Sequence, residues 1–123
     1  EWWSKKLNKN ITPRKMLQFM GTDLFRNNFN QDIWVKIMEK KLIDNNDKNI
    51  VITDCRFPNE IKIIKKMGGH IIRIDRKNNK INDSHPSENA WINEKVDFKI
   101  DNNHTIQHLQ TTFLTSCHNK LLL

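Results

Sequence analysis

Apolar positions fall along the chain in two rhythms, one of helical period and one of short strand-like runs. Thr12-Pro13 sets a capping hydroxyl before a proline suited to the first helical position, and Met16, Leu17, Phe19 and Met20 then recur at helical spacing. Gly21-Thr22 interrupts this pattern, and Asp23-Leu24-Phe25-Arg26 reads as a further turn of helix. Ile33, Trp34, Ile37, Met38 and Leu42 line one face of a second helix, with Lys36, Glu39 and Lys40 opposite. On that face Trp34 reads as core rather than as a platform for a stacked base. The polar run Asp44-Asn45-Asn46-Asp47 ends the helix.

Ile50-Val51-Ile52 follows, stopping at Asp54. An unbroken β-branched run of this kind predicts a strand buried on both faces, central in a parallel sheet. A helix is predicted from about Pro58 to Met67, with Ile61 and Ile64 inward and Lys62, Lys65 and Lys66 outward; Gly68-Gly69 ends it. Ile71, Ile72 and Ile74 form the next strand, so the two strands and their helix predict a right-handed βαβ unit. The chain is polar from Arg76 to about Ser84, and His85-Pro86-Ser87-Glu88 begins a short helix reaching Trp91 or Ile92. Val96, Phe98 and Ile100 alternate with Asp97 and Lys99, a strand with one wet face. The last helix starts near Thr105 and is expected to turn Ile106, Leu109 and Phe113 inward. The fold class is α/β, with three strands visible and no linker or repeat, so residues 1–123 read as a single domain.

Composition narrows this little. Hydrophobic content of 37% and charged content of 28% are those of a globular domain. The formal charge of +7 favours an anionic partner: nucleotide phosphates, nucleic acid or an acidic surface. No apolar segment approaches the roughly 18–20 residues that span a bilayer, which argues against a membrane partner. Two cysteines, Cys55 and Cys117, without CxxC spacing suit a reduced, intracellular protein, and the His and Cys positions lack zinc-site spacing. The chain opens on Glu1, and Trp2-Trp3 reads as apolar surface that wants a partner, which leaves a homodimer open.

Charged residues gather where predicted elements end. Asp54, Arg56 and Glu60 follow the first strand; Arg73, Asp75 and Arg76 surround the second; Asp83, His85, Ser87 and Glu88 lie beyond it. Arg14 and Arg26 lie on the first helices. Arginines converging on one cleft beside a carboxylate suit phosphoryl transfer, because guanidinium groups grip phosphate oxygens in pairs and a carboxylate can hold Mg²⁺ through its waters.

These residues also carry a resemblance. Thr12-Pro13-Arg14, Leu17-Gln18, Gly21-Thr22, Arg26 and Ile33-Trp34-Val35 come first. Asp54-x-Arg56-Phe57-Pro58-Asn59-Glu60, Gly68-Gly69 before Ile72-x-Ile74-x-Arg76, His85-x-Ser87-Glu88 and Asp97-x-x-Ile100-x-Asn102 continue in order. From Thr12 to about Leu114 the chain resembles the deoxynucleoside monophosphate kinases of phages and large DNA viruses. The resemblance implies a P-loop kinase fold, a three-layer parallel sheet with flanking helices, that transfers the ATP γ-phosphate to a deoxynucleoside monophosphate. It implies Arg14, Arg26 and Glu60 as substrate-binding residues and Asp54, Arg56 and Arg76 as catalytic, with Asp54 holding Mg²⁺ through water. His85, Ser87 and Glu88 would belong to a lid.

The chain departs from that family in one respect. It has no G-x-x-x-x-G-K-[S/T] loop, and its three glycines cannot build one. The N-terminal strands and P-loop of the family are then absent from this chain, which reads as the C-terminal portion of a kinase, unable to transfer phosphate alone. Two other functions compete. A basic nucleic-acid-binding domain draws on the charge of +7, though no recognised motif supports it. A Mg²⁺-dependent nuclease draws on Asp54 with Glu60-Ile61-Lys62, which mimics a D…ExK arrangement; that triplet needs a strand, and Pro58 with Ile61 and Ile64 predicts a helix instead.

Overall fold

The computed structural model describes residues 2–77 and 85–121, with side chains described as far as residue 116; Asp83 lies outside these residues. The chain begins with α1 (Trp2–Lys6) and α2 (Pro13–Gln18). Thr12 caps α2 as its sequence signals, the hydroxyl accepting from Lys15 N–H at 3.2 Å. The expected interruption at Gly21-Thr22 does not occur. The chain continues through Gly21 as a π-helix, Phe19–Asn27, that buries Thr22 and Arg26. One glycine inside a helix costs about 1 kcal/mol, too little to end it when both flanks are otherwise helical.

Helix α3 (Ile33–Ile43) forms as expected but turned by about one position. Val35 is buried and Met38 and Leu42 half-buried, whereas Trp34 and Ile37 are exposed. Two stripes run along this helix with the same 3,4 spacing. Val35, Met38 and Leu42 are wholly apolar and face the core; Trp34, Ile37 and Lys41 end in a charge and face away from it.

The largest correction concerns Ile50-Val51-Ile52, which is not a strand. Residues 49–57 form an irregular segment in which Ile52 packs on the core while Val51 is 86% exposed. A strand exists only through a ladder with a neighbour, and among the described residues no backbone hydrogen bond reaches Ile50, Val51 or Ile52. The predicted βαβ unit therefore does not form here. Helix α4 (Pro58–Lys66) does form, with Ile61, Ile63 and Ile64 buried. Gly68 follows at φ 81°, the left-handed turn that glycine adopts without strain.

Strands β1 (Ile72–Asp75) and β2 (Phe98–Asp101) pair in parallel, Ile72 opposite Phe98 and Asp75 opposite Asp101. Asp97 secures the start of the pair by accepting from Ile71 N–H at 2.8 Å. Between them lies α5 (Pro86–Asn89), and α6 (Ile106–Leu121) follows β2. Helix α6 presents only part of its predicted face, through Leu109. Ile106 and Phe113 are exposed, and the half-buried positions are Leu109, Thr112 and Ser116. The core gathers Ile61, Ile64 and Ile71, with Met38, Ile52, Cys55, Trp91 and Val96 packed against them. The described residues thus form a mostly helical α/β structure with a two-stranded parallel sheet, rather than the broad three-layer sheet expected.

Candidate functional site

A cleft of about 1240 Å³ opens between α2, the π-helix, α3 and the 49–57 segment. Its wall brings together Arg14, Arg26, Asp54, Arg56, Glu60, Ser87 and Glu88, which the sequence scatters over 75 positions. Arg76 and His85 are not on that wall. Arg76 is exposed just beyond β1, and His85 caps α5, its Nδ1 accepting from Ser87 N–H at 3.3 Å. Its Nε2 faces Asp23 Oδ1 at 3.8 Å.

Two arginines meet on one carboxylate. Arg14 Nη2 lies 2.9 Å and Arg56 Nη1 3.1 Å from Glu88 Oε1, and the Glu88 side chain is only 13% exposed. The Arg14 side chain is 59% exposed and that of Arg56 49% exposed. Asp54 is exposed beside them.

Arg26 and Glu60 behave differently, since each is engaged by the other. The buried Arg26 guanidinium donates to Glu60 Oε1, to Asn59 Oδ1 at 3.1 Å and to the Gln31 carbonyl at 2.9 Å. It also lies over the Phe57 ring, 3.8 Å from the centroid. Glu60 Oε2 accepts from Arg56 N–H at 2.8 Å and Phe57 N–H at 3.1 Å. This is the carboxylate half of a capping box, since Phe57 has no side-chain oxygen for the other half. The pair thereby fixes the turn that carries Arg56.

The sequence reading missed Trp34. Its indole N–H donates to the Gly21 carbonyl at 2.7 Å, and its ring meets Phe25 edge-on at 5.6 Å, which fixes an aromatic wall in the cleft beside Leu17 and Ile37. The signal was the charged end of its stripe at Lys41. The D…ExK mimicry has no structural basis, because Glu60 lies in the cleft and Lys62 on the exposed face of α4.

Cys55 shares the cleft but not its polarity. Burial first, then the carboxylates of Glu60 and Asp54, push its thiol from an ordinary 9.0 up to about 11, against a smaller lowering by Phe57 N–H. In a Cys117→Ser background, Cys55 is expected to react with iodoacetamide at pH 8 about 100-fold more slowly than an unfolded control. The rate should climb with pH towards 11. Because the folded value lies above the unfolded one, this group contributes nothing to pH dependence below pH 9 and weakens the fold between about pH 9 and 11.

Among the described residues no group of three or more His, Cys, Asp or Glu side chains is arranged to hold a metal ion, and no helix is long and apolar enough to cross a membrane.

Comparison with known proteins gives a consistent result. A family model described as deoxynucleotide monophosphate kinase matches residues 3–113. A protein of Acanthamoeba polyphaga mimivirus, provisionally named a deoxynucleotide monophosphate kinase, is 34% identical over 123 aligned residues, covering 88% of this chain and 62% of its own length. The deoxynucleoside-5'-monophosphate kinase of Escherichia phage T5 is 36% identical over 87 residues, covering 65% of this chain and 35% of its own. The deoxynucleotide monophosphate kinase of Enterobacteria phage T4 is 29% identical over 99 residues, with 78% and 41% covered. The chain therefore spans between about a third and two thirds of the length of these relatives.

Proposed function

The chain belongs to the deoxynucleotide monophosphate kinase family, and from that premise we propose that its cleft holds the acceptor, a deoxynucleoside monophosphate, for phosphorylation by ATP. The observation that carries the proposal is the convergence of Arg14 and Arg56, from distant parts of the chain, at one corner of the cleft. Guanidinium groups bind phosphate oxygens by charge-assisted hydrogen bonds and neutralise charge in transfer. The wall of Leu17, Trp34 and Ile37 offers the base an apolar, aromatic surface at the same time. The volume exceeds the roughly 300–1,000 Å³ of most small-molecule pockets, enough for a mononucleotide.

Arg14 and Arg56 bind the acceptor phosphate in this reading. Arg26 and Glu60 hold the turn that aims Arg56, a support for substrate binding rather than a contact with it. Arg76, His85, Ser87 and Glu88 lie on or beside the segment that closes the nucleotide side.

Magnesium fits this cleft through water only. Asp54 offers an exposed carboxylate, and no cage of ligands stands around it among the described residues. When bound, the ion neutralises phosphate charge. ATP fits the chain less well, because the sequence holds no glycine-rich phosphate loop. We place the donor phosphates on residues outside this sequence, within a P-loop kinase fold of which residues 1–123 form the acceptor-side portion.

Calorimetric titration of the 123-residue chain with the common deoxynucleoside 5'-monophosphates tests the acceptor half directly. At least one should bind with a dissociation constant below about 1 mM, equivalent to about 4 kcal/mol. A chain that binds duplex DNA with steep salt dependence and ignores every monophosphate would be a nucleic-acid-binding domain instead.

A further inference from the structure

The shared carboxylate of Glu88 suggests a role beyond bridging. Glu88 Oε1 sits between Arg14 Nη2 and Arg56 Nη1, 2.9 and 3.1 Å away, with Ser87 Oγ 3.4 Å from the same atom. An anion thus already occupies the point on which the two guanidiniums converge. It comes from α5, a helix of four residues, while Arg14 is on α2 and Arg56 precedes α4. Arg14 and Arg56 carry two positive charges and Glu88 one negative, which leaves one formal positive charge among these three before the carboxylate of Asp54, also on the cleft wall, is counted.

We propose that Glu88 is a specificity-determining residue: an internal carboxylate competitor that admits dianionic phosphomonoesters to Arg14 and Arg56 and disfavours monoanionic phosphodiesters. This rests on the acceptor reading above.

Charge and oxygen count separate the two kinds of ligand. A phosphodiester brings one negative charge, the same as the carboxylate, so displacing Glu88 is an even exchange that also requires α5 to give up two ion pairs. A 5'-phosphomonoester above pH 7 brings nearly two charges and three acceptor oxygens, enough to engage both arginines and outcompete the carboxylate. The free nucleotide is thereby favoured over an internal phosphate of a nucleic-acid strand. No extra recognition of the sugar or base is needed for that choice.

The test measures, at pH 8, the binding of a deoxynucleoside 5'-monophosphate and of its 5'-O-methyl phosphodiester to the unaltered chain and to Glu88→Gln. The amide is nearly isosteric and can still accept from one arginine, but carries no charge. Glu88→Gln is expected to strengthen binding of the methyl diester about tenfold and that of the monophosphate no more than about threefold, narrowing the selectivity. Glu88→Asp, which keeps the charge but is too short to set one oxygen between both guanidiniums, is expected to fall between the two. It decides the matter alone should the glutamine variant not fold.

If both ligands gain equally, or both lose because the carboxylate was aiming the arginines, the proposal is overturned while the acceptor reading stands. If the unaltered chain binds neither ligand, both fall together.

Discussion

Replacing Arg56 with alanine is expected to weaken binding of a deoxynucleoside monophosphate by about 10- to 100-fold, the loss of one or two charge-assisted hydrogen bonds of about 1.5–3 kcal/mol each, partly offset by water. Arg56 is held at its backbone by Glu60 Oε2, which accepts its N–H at 2.8 Å, so its side chain leaves a fixed turn and reaches the cleft corner. About half of that side chain is solvent-exposed, so truncation opens no buried cavity. The midpoint of thermal unfolding should accordingly move by no more than about 3 °C, the shift expected of a surface change of about 0.5 kcal/mol. Lys62→Ala is the matched control. It removes one positive charge from the exposed face of α4, outside the cleft wall, and should leave nucleotide affinity within about twofold. Equal losses in the two variants would make the arginine a contributor of bulk charge and remove it from the site. In an enzyme with a complete donor site, the same comparison made in kcat/KM should show at least as large a gap, since charge grows on the transferred group.

How much of this was legible depends on how far apart the interacting parts lie. The α2 cap at Thr12-Pro13 and the stop of α4 at Gly68 are decided within a few residues, and the sequence reading places both correctly. Strands β1 and β2 also announce themselves through alternating apolar positions, and the first residue of each pairs as a parallel strand should. Ile50-Val51-Ile52 carries an equally local strand signal, an unbroken β-branched run, and does not become a strand. Its β-branched residues favour extended backbone, but a ladder needs a neighbour, and that requirement is not written in the run itself. Ile52 still packs on the core and Val51 is exposed, so the in-and-out alternation is present without the hydrogen bonds. The orientation of α3 failed for a different reason. Trp34 and Val35 belong to adjacent stripes of nearly equal apolarity, and only tertiary packing decides which of the two is buried.

The candidate site divides in the same way. That Asp54 and Arg56 would lie near Arg14 could be read from residue type and order together with the family resemblance. That Glu88 would stand between Arg14 and Arg56, or that Arg26 would spend its hydrogen bonds on Gln31, Asn59 and Glu60, could not. Those are contacts across 32 to 74 positions for Glu88 and up to 34 for Arg26, and charge alone does not choose among partners.

Arg26→Ala offers the sharpest separation between a ligand contact and a support. An arginine that merely touched substrate would be removable at little cost to the fold, with the loss confined to binding. Here the guanidinium side chain is 7% exposed and its carboxylate partner 12%, and Arg26 Nε is buried without a hydrogen-bond partner among the described residues. Removing one member of such a pair leaves the other charge buried and uncompensated, typically at about 3–5 kcal/mol. Against a total stability of roughly 5–15 kcal/mol this is a large fraction, and the unfolding midpoint should fall by more than about 10 °C. Glu60→Gln in the same chain removes the stranded charge, so the double variant should regain part of that loss, the non-additivity that marks a coupled pair. Nucleotide binding should weaken in Arg26→Ala even where the chain stays folded, because the turn that aims Arg56 loses its anchor to Asn59 and Glu60. A folded Arg26→Ala chain of unchanged midpoint that nonetheless binds no nucleotide would instead place Arg26 in direct contact with the phosphate, with Glu60 holding it there only until the ligand arrives.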